Sequence, residues 1–101
     1  MMKSPIGYST LFHVTPERNF LSIDEKGLVV RKAQGKTKAV WLCTTETLDW
    51  ALGHVSQHQD TPIEGMVIFA VIVPNTHIRK KRKGIYLCVH DVPRHQLRIV
   101  R

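Results

Sequence analysis

The spacing of apolar residues changes several times along this chain, and each change marks an element. Tyr8 to Val14 reads as a strand. Thr15 can then cap a helix, Pro16 suits its first position, and Glu17 favours its positive end. Phe20, Leu21 and Ile23 give that helix an apolar side, and Gly27 ends it, so a helix is predicted over about Pro16 to Glu25. The segment "VVRKAQGKTK" is polar and basic and reads as a mobile loop. "AVWLCT" reads as a short buried strand. "TTETLDWALGHVSQH" follows with a threonine cap, early acids, and Leu48, Leu52 and Val55 at helical spacing, predicting a second helix over about Thr45 to His58. "GMVIFAVIV" is a continuous apolar run between glycine and proline, the pattern of a central strand. "GIYLCVHDV" reads as another strand, "PRHQ" as a turn and "LRIV" as a last short strand. The pattern predicts one α+β domain over 1–101, a bent or split antiparallel sheet with two main helices. No repeat and no low-complexity tract interrupts it.

Composition narrows the class. The chain has 101 residues, 43% of them hydrophobic, enough for one small core and too many for wholesale disorder. No apolar run is long enough to span a bilayer, and the first ten residues lack the apolar core of a secretory signal. Cys43 and Cys88 sit in apolar runs without Cys-x-x-Cys spacing, which fits reduced core thiols in a cytoplasmic setting and leaves a single disulfide open. The net charge is +7, and it is uneven. Arg79, Lys80, Lys81, Arg82 and Lys83 are consecutive, and Asp91 is the only acid after Glu64. Such a run attracts phosphates in DNA, RNA or a phosphorylated small molecule. It is read here as a hairpin tip; the plainer alternative is a solvated tip that keeps an edge strand soluble.

The order of these elements carries a resemblance. A strand ending "FHVT" leads into a short helix stopped at Gly-Leu. A strand "VWLCT" then precedes a helix carrying Ala51 and His54, and a late strand runs into "DVPRHQLRIV". This resembles the ADP-ribosyltransferase-like superfamily, the fold of NAD-using toxins, poly(ADP-ribose) polymerases and tRNA 2′-phosphotransferases. The likeness extends from Leu11 to Val100, through motifs that are each short. It implies a cleft in which His13, Thr15 and Trp41, the last in place of the usual tyrosine, share the binding of NAD or a related nucleotide. His54 falls near a position that the family fills with an aromatic beside nicotinamide. The resemblance implies that His13 hydrogen-bonds a ribose hydroxyl and that Trp41 covers a flat ring.

The chief departure is catalytic. Many family members carry a glutamate a few residues before the closing turn, and here that position falls near Ile85 or Tyr86. Chemistry based on His13 and Arg31, as in the phosphotransferase branch, is one alternative; substitution by Glu64 or Asp91 is another. The phosphotransferase branch also carries an N-terminal RNA-binding lobe, for which these 101 residues leave no expected place.

His54 and His58 lie four apart on the second helix, a spacing that suits a metal, but no third ligand is evident and no metal is expected. His77, His90 and His95 read as exposed. Two functions stay open. One is a small ADP-ribosyltransferase, a compact bacterial or phage toxin or a nucleic-acid modifier, acting on a nucleic acid or protein. The other is an inactive binding module that holds nucleic acid or a protein partner through its basic end. The sequence leaves the enzymatic question and the oligomeric state undecided.

Overall fold

A computed structural model describes residues 5–30 and 39–100. Arg31 and most of the basic loop lie outside the described residues. The rest is α+β, with six strands in one antiparallel sheet ordered β4-β5-β2-β1-β3-β6. The strands are β1 (Tyr8–Pro16), β2 (Val40–Cys43), β3 (Met66–Pro74), β4 (Ile78–Arg82), β5 (Ile85–Cys88) and β6 (Leu97–Ile99). The two main helices are α1 (Phe20–Lys26) and α2 (Leu48–His58).

Both helices enter through a short 3₁₀ turn, Glu17–Asn19 before α1 and Thr45–Thr47 before α2. The expected first helix therefore begins late. Pro16 ends β1, and the Thr15 side chain makes no cap; its Oγ1 accepts a bond from Asn19 Nδ2 at 3.0 Å. Thr15 is still in the extended ladder, opposite Val67, and sheet pairing outweighs its local capping preference.

The sheet has two cores, one per face. On the α1 face, Leu11, Leu42, Phe69 and Val71 pack with Ile23. On the α2 face, Val14, Cys43, Met66 and Ile68 pack with Ala51 and Leu52. β3 feeds both, with Phe69, Val71 and Val73 on one side and Met66 and Ile68 on the other. That two-sided burial is why its sequence is an unbroken apolar run. Cys43 and Cys88 are both buried free thiols, and burial pushes the Cys43 thiol up to about 11, which makes it a poor nucleophile.

The basic run departs from expectation. Residues 79–82 belong to β4, an edge strand paired with β5, and only Lys83 and Gly84 form the turn. A bulge between Lys80 and Arg82 interrupts the ladder. Consecutive lysines and arginines have little intrinsic strand preference; here the strand exists because β5 offers it a hydrogen-bonding edge, and the charges protect the other edge from further pairing.

Candidate functional site

Strand β1 is bound unequally on its two sides. Against β3 it pairs along its whole length, from Tyr8↔Pro74 to Pro16↔Met66. Against β2 it has one registered pair, Phe12↔Cys43. Beyond that pair the strands diverge, and a cleft of about 330 Å³ opens between them. His13, Thr15, Asn19 and Ser22 line one side, Trp41 and Val40 the other, with Gln59 at the end of α2. No carboxylate, lysine or arginine is among the described lining residues, whose polar groups are uncharged.

The lip next to α1 depends on Gly27. Its φ of 79° and ψ of −166° lie in a region open essentially to glycine alone. Leu28 and Val92 exchange backbone bonds at 3.0 and 2.9 Å, and a Cβ on Gly27 would collide with the Val92 carbonyl. The helix stop read from the sequence is thus also a close approach between two segments.

His13 sits where the next ladder bonds to β2 would be. Its Nδ1 lies 3.0 Å from the Trp41 carbonyl oxygen. A carbonyl can only accept, so Nδ1 carries the hydrogen and, in the neutral ring, Nε2 keeps a lone pair. Burial lowers the His13 pKa below 6.5, and the Trp41 bond only partly opposes this. The ring is neutral at neutral pH, an acceptor at Nε2 and not a cation. Thr15 is only 5% exposed, and its hydroxyl already accepts from Asn19.

His13, Thr15 and Trp41 all line this cleft, as expected, but the side chains of His13 and Trp41 leave the sheet on opposite faces, which counts against the family resemblance that has them face one pocket. His13 is opposite Phe69, on the α1 face. Trp41 is two residues from Cys43, whose partner Phe12 packs on the α2 face, and the Trp41 ring stacks on His54 of α2, centroids 6.5 Å apart. The cleft passes through the gap, so Trp41 edges it, but its ring does not cap a ligand lying on His13.

That ring belongs to a second arrangement. His54 stacks on Trp50 at 4.6 Å and meets His58 at 4.2 Å. Lys81 Nζ stands 5.9 Å from the Trp41 ring centre, and the Arg82 guanidinium 4.5 Å from that of Trp50. Exposed cation–π contacts of this kind are worth about 0.5–1 kcal/mol each. A small apolar hollow of about 60 Å³, lined by Trp41, Trp50, His54 and Ile85, lies beneath. His54 lines this hollow rather than the cleft. Desolvation first, then His58 and Arg82, lower its pKa.

Of the basic run, Lys81 and Arg82 meet rings, while Arg79, Lys80 and Lys83 are exposed without a ring beneath them. Glu64 and Asp91 both lie outside the cleft, and Asp91 Oδ1 accepts the Val30 backbone N–H at 2.8 Å. His77 and His90 face one another at 4.1 Å, with His77 partly covered and His90 and His95 exposed. No group of His, Cys, Asp or Glu suited to a metal occurs among the described residues, and no helix there is long and apolar enough to cross a membrane. Sequence reasoning passed over Trp50, although Trp50, His54 and His58 at four-residue spacing on one helix were the available signal.

No protein-family model matches the chain, and a comparison with curated proteins finds no match.

Proposed function

We propose that this chain is an ADP-ribosyltransferase-like domain that binds NAD or a related nucleotide in the cleft between β1 and β2. The observation that supports it is the split itself, with His13 held across it by the Trp41 carbonyl. Two strand edges that face each other without a continuous ladder leave backbone donors and acceptors for a carboxamide. His13 Nε2, with its lone pair, accepts the proton of a ribose hydroxyl. An uncharged lining suits the nicotinamide riboside end better than the pyrophosphate. The volume of about 330 Å³ is at the lower end for small-molecule sites, roughly 300–1,000 Å³. The cleft therefore takes one half of a dinucleotide and leaves the other half outside.

Binding is the part of the family's function that these residues support. Transfer needs stabilisation of the cation that develops as nicotinamide leaves, and no described lining residue is a carboxylate. The test is calorimetric titration with NAD, ADP-ribose and nicotinamide riboside, with mass spectrometry for released nicotinamide. The expected result is binding of NAD and nicotinamide riboside, weakened by His13→Gln, with nicotinamide retained. Absence of binding at millimolar NAD would overturn the reading. Release of nicotinamide would restore the transferase assignment and send the search for its charged group beyond the cleft.

A further inference from the structure

Both tryptophans of the chain, Trp41 and Trp50, sit on one face of the protein rather than in its core. They are 41% and 43% exposed. Large aromatic side chains left half-exposed together mark a contact surface more often than chance packing. The two indoles are bridged by His54, with interplanar angles of 17° on each side, so three flat rings lie nearly parallel. They come from different elements, Trp41 from β2 and Trp50 and His54 from α2.

The cations are aimed at this row by a specific backbone device. In a regular strand Lys81 and Arg82 would point to opposite faces. The bulge sets Lys80 opposite Tyr86 and Arg82 opposite Ile85, which leaves Lys81 as the extra residue. Such a bulge re-aims side chains, and both cations reach the same face, one at each tryptophan. The turn that follows is pinned to the start of α2, with Thr44 N–H donating to the Gly84 carbonyl at 3.0 Å, and a Cβ on Gly84 would collide with the Thr47 hydroxyl. Strand β4 is thereby held beside Trp50.

We propose that this face binds single-stranded nucleic acid, with unpaired bases stacked on Trp50 and Trp41 and the flanking phosphates held by Lys81 and Arg82. Parallel rings interleaved with cations are the requirements of such a platform, and every base has a face to stack. A stacked base outweighs an exposed cation–π contact, so Arg82 yields its place on Trp50 and turns to a phosphate. A duplex hides its bases and offers only phosphates to this surface. A second copy of the chain brings the same positive charge and is repelled. The proposal rests on exposed rings and cations and not on the nucleotide cleft, although the hollow beneath the rings adjoins the cleft through His13, Val14, Trp41 and Val55.

The probes are fifteen-residue oligothymidylate and oligouridylate, an abasic phosphodiester of equal length, a duplex of equal length, and polyglutamate. The readouts are intrinsic tryptophan fluorescence and anisotropy. Both single strands are expected to quench the fluorescence, to bind about tenfold more tightly than the duplex or the abasic chain, and to weaken steeply with salt. Trp50→Ala should cost about tenfold in affinity for the single strands and little for the duplex. Arg82→Gln should flatten the salt dependence. Trp50→Phe, which keeps a ring, should fall between wild type and Trp50→Ala, and it carries the test if the alanine variant does not fold. Equal binding of the abasic chain, absence of quenching, or equal binding of the duplex would overturn the stacking proposal and leave a phosphate contact only. Equal binding of polyglutamate would overturn it in favour of an acidic protein segment.

Discussion

The cleft and the aromatic face lie on either side of Trp41, and they use polarity in opposite ways. The cleft sets partly buried His13 and buried Thr15 beside exposed Asn19 and Ser22, with no charged group among its described lining residues. The face has exposed rings and cations. In the cleft, His13 loses its charge because burial penalises the imidazolium more than the Trp41 carbonyl stabilises it. On the face, Lys81 and Arg82 are exposed to solvent and stand over the rings of Trp41 and Trp50. One residue serves both regions with different atoms, since the Trp41 carbonyl holds His13 while its ring stacks on His54. A strand residue presents its backbone in the plane of the sheet and its side chain perpendicular to it, so a single position at a split can belong to two surfaces.

The strongest way to break the comparison is at Gly27. Gly27→Ala should destabilise the fold by roughly 3 kcal/mol, from a strained backbone and the collision with Val92, and a denaturant titration measures it. At mild temperatures the folded fraction should lose nucleotide binding first, because the change falls on the cleft's lip. Trp50→Ala tests the other side. It should cost about tenfold in affinity for single strands while stability changes by less than about 1 kcal/mol, since the ring is half-exposed. It should leave NAD titrations unchanged. His13→Gln reverses that pattern, with NAD binding weakened about fivefold, oligonucleotide binding unaffected, and stability reduced by about 1 kcal/mol for the altered bond to Trp41.

The smallest expected effect is in pH. The folded His13 pKa lies below 6.5. Between the folded and unfolded values, the unfolded chain takes up a proton that the folded chain does not. Stability should therefore fall as pH drops through 6.5 and level off below the folded pKa. His54 shifts in the same direction, but at the surface its share is smaller. Denaturant midpoints at neutral and mildly acidic pH should differ less in His13→Gln than in the wild type. An equal difference would place the pH response elsewhere.

Much of the frame was legible in the chain. β3 announces itself because both of its faces are buried, and α2 because its apolar residues repeat at helical spacing. The stop at Gly27 is local chemistry, a backbone that only glycine adopts. The start of α1 was less legible, since Thr15 and Pro16 carry capping signals that pairing with β3 overrides. β4 was not legible as a strand at all. Five like charges give no alternation, and the ladder with β5 that orders four of them is a long-range contact.

The candidate site divides the same way. The family resemblance put His13 and Trp41 at a pocket, and both line the cleft. That their side chains leave opposite faces was not readable, because face is set by register, and a single pair, Phe12↔Cys43, sets the register of β2 against β1. Sequence by itself determined which segments could bury apolar surface, where the backbone had to bend, and that one end of the chain would be strongly basic. Only the tertiary structure decided that β1 and β2 part company after one pair, that a bulge turns Lys81 and Arg82 to the same side, and that both tryptophans meet there. The reason is physical: periodicity and turn chemistry act over neighbouring residues, whereas a split, a bulge and a shared face exist only between strands brought together by folding.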